Sequence, residues 1–305
     1  MKNKLLFASL LVFTLQAYSQ QDPMFTHYMY NSLWLNPGYA GSRQALTITG
    51  IHRSQWVGFD GAPQDQSLTL HAPLFNGRSG LGLSVINDKI GPVKSSLVAA
   101  DFAQHIRLSE KSKISFGIKG LIHFYNVGLS SLKPSETNDQ SFAQNQQSVL
   151  PNLGAGFYYS NERFYAGISS PRLIENNLYG SGLSSLSKEQ RHYYYIMGAA
   201  LPVNASLLLK PSCFVKATAA APLQADFSLL GEWNRTYNLG IMYRTYDAAG
   251  VILGFNIIEA LAISYAFDWS FTNATGNYNN GSHELMLRYD LVSVRKGKIK
   301  SPRYF

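Results

Sequence analysis

Val98-Ala99-Ala100-Asp101-Phe102-Ala103-Gln104-His105-Ile106-Arg107-Leu108 is the stretch that decides the fold. Successive side chains of an extended chain point to opposite faces, so Val98, Ala100, Phe102, Gln104, Ile106 and Leu108 share one face. Ala99, Asp101, Ala103, His105 and Arg107 share the other. The first face suits hydrocarbon and the second suits water. The alternation returns in Ile114, Phe116 and Ile118 against Ser115, Gly117 and Lys119, and in Leu285, Leu287, Tyr289 and Leu291 against Glu284, Met286, Arg288 and Asp290. From residue 44 onward the chain is a train of roughly ten-residue segments of this kind, the pattern of an outer-membrane barrel. A soluble sandwich alternates too, so the connections must discriminate.

Tight polar turns separate the runs at Asn76-Gly77-Arg78, Glu110-Lys111-Ser112, Asn161-Glu162-Arg163, Pro202-Val203-Asn204 and Asn234-Arg235. Longer links lie between them at 58–65, 87–94, 126–148, 171–190 and 270–281. Short and long trade places, as they would with short turns in the periplasm and long loops outside. Strands are expected over 44–57, 66–74, 80–86, 96–108, 113–125, 150–160, 164–170, 192–201, 206–215, 225–233, 236–245, 251–257, 261–269 and 283–292. These make about fourteen, an even number that returns both termini to one side. The nearly apolar stretch from Ala248 to Phe267 is long enough to span as a helix. Gly250, Gly254, Asn256 and Glu259, with the alternation of Leu261, Ile263, Tyr265 and Phe267, favour two strands and a turn near Ile258-Glu259 instead. The expected fold class is all-β, a transmembrane antiparallel up-and-down β-barrel with a short N-terminal helical or plug segment.

The ends differ from the body. Residues 1–19 read as a secretory signal, with Lys2 and Lys4, an apolar core from Leu5 to Leu15, and Ala17-Tyr18-Ser19 as the cleavage site. No cysteine follows that site, so lipoprotein anchoring is not expected. In segment 20–43, Asp22-Pro23 reads as a helix N-cap with proline at the first position, Met24, Phe25, Tyr28 and Met29 recur at helical spacing, and Asn36-Pro37-Gly38 ends the helix. That helix either packs on the body as a short amphipathic element or, on a sharper reading, plugs the lumen or rests at the periplasmic mouth. The barrel is placed at 44–293, in one domain. A periplasmic basic tail, 294–305, carries Arg295, Lys296, Lys298, Lys300 and Arg303.

The formal charge of +8 falls to +6 without the two signal lysines. Part of that remainder is the tail, whose simplest reading is a solvated end and whose sharper one is contact with anionic lipid or an acidic partner; nucleic acid is not implied, because an exported chain does not meet it in the cytoplasm. The single cysteine, Cys213, excludes a disulfide framework. Only 14% of residues are charged, while Trp56, Tyr158, Tyr159, Tyr193 to Tyr195, Trp233, Tyr246 and Trp269 are placed to form interfacial girdles.

Little suggests catalysis. The seven histidines are scattered singly without ligand spacing, and His71, His105 and His123 read as polar lumen residues. Neither a nucleophile elbow nor a phosphate-cradling loop is present. A triad built in space is not visible in one sequence. No catalytic, cofactor or metal residue is assigned. Two links look over-determined for a plain pore: the loop of Trp56, Val57, Gly58, Phe59, Asp60, Gly61, Ala62 and Pro63, and Asn87-Asp88-Lys89-Ile90-Gly91-Pro92. Bulky aromatics among turn formers suggest fixed loops. Trp56, Phe59, Asp60, Asn87 and Asp88 are therefore candidate partner-binding residues on an outward surface. Asp22, Met24, Phe25, Tyr28, Arg303, Tyr304 and Phe305 are candidates for a periplasmic contact or plug.

Those motifs, with Gln21-Asp22-Pro23-Met24-Phe25, Leu35-Asn36-Pro37-Gly38-Tyr39-Ala40-Gly41, Gly281-Ser282-His283-Glu284 and the Ser-Pro-Arg-Tyr-Phe terminus, occur in an order that resembles the PorP/SprF family of Bacteroidetes outer-membrane proteins. Gly38 departs from the alanine expected in the family's Asn-Pro-Ala-Tyr-Ala-Gly. The resemblance spans essentially the whole mature chain. It implies an outer-membrane protein of type IX secretion and gliding that supports secretion or surface anchoring of a partner with a C-terminal sorting domain. It also implies contact with periplasmic secretion or gliding machinery, and no established catalytic residues. The alternative is a diffusion channel for small or hydrophobic solutes.

Overall fold

The structure is a computed structural model that describes residues 22–131, 145–178, 188–219, 221–272 and 280–291. The expected signal 1–19, the tail with Arg303, Tyr304 and Phe305, and parts of the 126–148, 171–190 and 270–281 links lie outside them. Among the described residues, strands dominate: β1 (Leu46–Ser54), β2 (Gln64–Leu74), β3 (Ser79–Ile90), β4 (Val93–Arg107), β5 (Ser112–Val127), β6 (Gln146–Asn161) and β7 (Phe164–Ser170). Next come β8 (His192–Ala199), β9 (Leu201–Pro202), β10 (Leu207–Thr218), β11 (Ala221–Trp233), β12 (Tyr237–Arg244), β13 (Ala248–Ile258), β14 (Leu261–Ser270) and β15 (Ser282–Leu291). β8 and the two-residue β9 both pair with β10 and form one barrel strand interrupted at Ala200. The result is a closed barrel of 14 antiparallel strands in which each strand pairs with its sequence neighbours, and β15 closes on β1 from Leu46↔Leu291 to Ser54↔His283. Closure pairs the backbone groups that hydrocarbon would otherwise leave without partners.

Alternation sorts the side chains as expected. On β4, Val98, Phe102 and Ile106 face outward, while Ala99, Asp101, Ala103 and His105 are buried in the lumen. Ala248 to Phe267 forms two strands joined at Glu259-Ala260. The aromatic girdle is narrower than expected. Tyr193, Tyr195, Trp233, Tyr246 and Trp269 face outward, but Tyr158 and Tyr194 occupy inward positions and are buried.

Two expectations fail. The 87–94 link is not a long loop: Asn87 to Ile90 continue β3, pairing through Asn87↔Ser96 and Asp88↔Ser95, and the turn is only Gly91-Pro92. Ser95 and Ser96 supply ladder partners that outweigh the turn preference of Asn and Asp. The N-terminal segment is not one helix. It makes a 3₁₀ turn at Tyr28–Tyr30, one α-helical turn at Ser32–Leu35 and a 3₁₀ turn at Pro37–Tyr39, the last capped by the Asn36 side chain accepting from the Gly38 N–H at 2.8 Å. Asp22 caps nothing, because its carboxylate is occupied by wall residues.

Ile118 is 52% exposed near the middle of β5, on the lipid side. Ile118→Arg is expected to destabilise the protein by about 2–4 kcal/mol in denaturant unfolding from lipid vesicles.

Candidate functional site

Met24, Phe25, Tyr28, Leu33, Trp34, Leu35, Tyr39 and Ala40 are all buried within the barrel, where the N-terminal segment fills the lumen from one end to the other. Its course runs against expectation. Asp22 accepts from the Tyr194 hydroxyl and pairs with Arg172, just beyond β7, and with His192, the first residue of β8. All three lie toward the long-loop end, whereas β1 begins at the short-turn end. The segment therefore enters beside the long loops and descends the lumen before the barrel starts.

Each step of the descent has a wall partner. Glu284 accepts from the backbone N–H groups of Thr26 (2.8 Å) and His27 (2.7 Å), meets His27 Nδ1 at 2.7 Å, and pairs with Arg53 at 3.2 Å. Arg53 also pairs with Asp268 at 2.5 Å, and Asp268 accepts from the Thr26 hydroxyl at 3.0 Å. Arg244 pairs with Asp226 at 3.0 Å alongside. Lower down, the Tyr28 hydroxyl meets Ser212 Oγ at 2.9 Å, and Lys119, paired with Asp101, donates to the Trp34 carbonyl at 3.1 Å beneath the indole ring. Asn36 donates to the Phe157 carbonyl at 2.9 Å. At the short-turn end Arg43 pairs with Asp290 at 2.8 Å, which also accepts from the Thr47 hydroxyl. Close approach requires glycine at two wall positions: a Cβ at Gly80 would strike the Ala40 carbonyl, and one at Gly117 would strike Pro37 and Gly38.

A second buried cluster ties the link after β7 to the same wall. Glu189 meets His123 Nδ1 at 2.6 Å, pairs with Arg172 at 3.3 Å and accepts from Asn152 and Asn176. Burial pushes the Glu189 carboxyl up, but the His123 hydrogen bond and Arg172 outweigh it and hold it below the usual carboxylate range.

The outward candidates share one rim. Gln55 N donates to Pro63 O at 3.0 Å and closes the loop base, Val57 exchanges backbone bonds with Asn280 and Gly281 at 2.8 and 2.9 Å, and Gly91 N donates to Gly61 O at 2.9 Å. Positive φ at Trp56 (44°), Gly58 (96°) and Gly61 (75°) makes these bends. The loop is thus fixed between the β3–β4 turn and the start of β15. It presents Phe59, 51% exposed, and Asp60 to solvent, with Trp56 half-buried beneath. Asn87 faces outward and accepts from Ser96 Oγ, whereas Asp88 lies opposite Asp65. Sequence reasoning missed Arg53, Asp268 and Glu284 as plug holders, and the Asp226–Arg244 pair beside them. Their only signal was a charge on the lumen face of each strand.

A closed barrel with an apolar exterior and a filled, charged interior defines an integral outer-membrane protein. The chain belongs to the family described as type IX secretion system membrane protein PorP/SprF, whose model matches residues 17–289. No curated protein matches it. Among solved structures it is similar to the CymD monoaromatic hydrocarbon channel, with 10% identity and a TM-score of 0.50 over 86% of this chain and 91% of that one. It is also similar to a Pseudomonas aeruginosa FadL homologue, with 11% identity and a TM-score of 0.46 over 86% and 94%. At such identities the likeness concerns the barrel fold.

Arg53→Met would leave Asp268 and Glu284 buried without their shared cation. A loss of about 3–5 kcal/mol is expected in denaturant unfolding, against little change when the exposed Lys111–Glu162 pair is broken.

Proposed function

We propose that this protein is a plugged, non-enzymatic anchor of type IX secretion and gliding. A secreted partner with a C-terminal sorting domain docks on the long-loop rim around Trp56, Phe59 and Asp60, and the short-turn end with its basic tail meets the periplasmic machinery. The cleaved signal at 1–19 delivers the chain to the envelope. The observation that carries this reading is the filled lumen beneath a loop whose backbone is tied on both sides. A diffusion channel needs an open path, and here residues 22–45 would have to move. A docking site needs a pre-formed surface, and the rim has one.

One arrangement has the geometry of catalysis. His27 Nε2 lies 2.7 Å from Ser264 Oγ, and His27 Nδ1 lies 2.7 Å from Glu284, the relations of a serine-histidine-carboxylate triad. All three residues are buried, and the Ser264 hydroxyl donates to the Leu253 carbonyl. Because His27 belongs to the plug, any movement that admitted substrate would dismantle the triad. The arrangement supports a structural clamp rather than a hydrolase.

Trp56→Ala with Asp60→Ala is expected to abolish surface display of one cognate protein while the barrel still shifts on boiling before electrophoresis. Unchanged display with lost solute uptake would favour the channel. In planar bilayers the wild-type protein should be silent, and deletion of residues 22–41 or Gly117→Val, which crowds Pro37, should open steady conductance. A conducting wild type would overturn the plugged reading.

A further inference from the structure

The acidic residues of β2 to β6, Asp65, Asp88 and Asp101, all stand at lumen-facing positions of their strands. The outer face of the same wall keeps two cations. Lys89 on β3 and Lys94 on β4 are direct ladder partners, and they continue the outward series of Leu83, Val85 and Asn87 and of Ala100, Val98 and Ser96. Both lysines are exposed. Side chains opposed in this way have Cβ atoms about 4.5–5.5 Å apart, and like charges there destabilise the pair. Among the described residues neither lysine forms an ion pair. Asp60, whose loop is tied to the same hairpin by the bond from Gly91 N to Gly61 O, pairs with neither. Amides flank the pair at the same height, Gln64 across from Lys89 and Asn126 across from Lys94. One step down the wall, Ser96 Oγ donates to Asn87 Oδ1 at 2.8 Å beside Phe124, 44% exposed. The next step is wholly apolar: Leu68, Val85, Val98 and Ile122 stand side by side across four strands, all exposed on the outer face.

We propose that Lys89 and Lys94 together bind the phosphate of an anionic lipid at the long-loop edge of the apolar belt. A phosphate between two opposed ammonium groups turns their repulsion into two attractions. Lysine suits this height of the wall, because its apolar stem lies along the outer surface while the ammonium reaches the headgroup layer. The surroundings select a lipid over a soluble anion. The pair shares its face with Val85 and Val98, so a headgroup held there has its acyl chains against the belt directly beneath. They also select it over an acidic protein. Both side chains point sideways from the wall, below the Gly91-Pro92 tip of their hairpin, whereas a soluble partner arrives at the rim from above. The chemistry holds whichever leaflet the long loops face.

The test is native mass spectrometry of the detergent-solubilised full chain, titrated with phosphatidylglycerol and, separately, with phosphatidylcholine of the same acyl composition. The wild-type protein should hold its tightest phosphatidylglycerol about thirtyfold better than phosphatidylcholine, a factor of about five for each lysine at an anionic surface. K89Q should keep about a fivefold preference, and K89Q/K94Q should lose it. K111Q, which removes an exposed lysine at the opposite end of the barrel, should behave as the wild type. Each variant is first checked for the boiling-dependent shift of an assembled barrel, and should the double variant fail that check, K89Q carries the test alone. An unchanged preference in the lysine variants, or equal retention of both lipids by the wild type, overturns the proposal. An acidic protein surface as the occupant predicts the second of these. Millimolar inorganic phosphate that binds alone and displaces the lipid makes this a free-phosphate site and also overturns it.

Discussion

The carboxylate of Glu284 is the point on which the interior depends. It lies on the last strand, is buried, and receives two backbone N–H groups and the imidazole of the N-terminal segment together with Arg53 of the first strand. A charge at such depth is tolerated only when donors replace its water. Those donors come from a segment about 260 residues earlier in sequence, so one residue demands that the start of the chain lie inside its end. Barrel diameter grows with strand number, and about eight strands already leave an interior that side chains alone can fill. Fourteen leave a wider space, and the plug fills it.

Filling the lumen with chain rather than with side chains has a functional side. The wall is rigid through its ladders, and the plug is fixed by charge pairs and glycine contacts at several heights, so the rim above rests on a solid floor. A loop that must recognise a partner binds more tightly when its shape is set beforehand. The backbone ties of Val57 to Gly281 and of Gly61 to Gly91 give the Trp56 loop that character. Membership in a type IX secretion family and a closed interior are mutually consistent on this view.

How much of this the sequence disclosed follows from the range of each interaction. Alternation is local, so Val98 to Leu108 and Glu284 to Leu291 announced both faces, and the strand count followed. The fixed loop at Trp56 was also legible, since its turn formers sit within nine residues of one another. The plug's path was not. Met24, Phe25, Tyr28 and Met29 mimic one helical face, yet the segment touches wall on every side, and its partners, such as Ser212 and Asp268, stand far away in sequence. Asp22 looked like a cap because caps are local, whereas its real partners are Arg172 and Tyr194. Asn87 and Asp88 misled for a related reason: turn-prone residues join a strand when the opposite strand offers them a ladder.

The seam between β15 and β1 has a further consequence. Glu284 and Asp290 on one side and Arg53, Thr47 and the approaching Arg43 on the other meet across it on the lumen side. Strand pairing tolerates neighbouring registers almost equally in hydrogen bonds, but a slip of one residue would turn Glu284, Arg288 and Asp290 toward hydrocarbon. The charges therefore proofread closure. A barrel that joins its ends out of step carries three ionised groups into lipid, and only the correct step returns them to their partners.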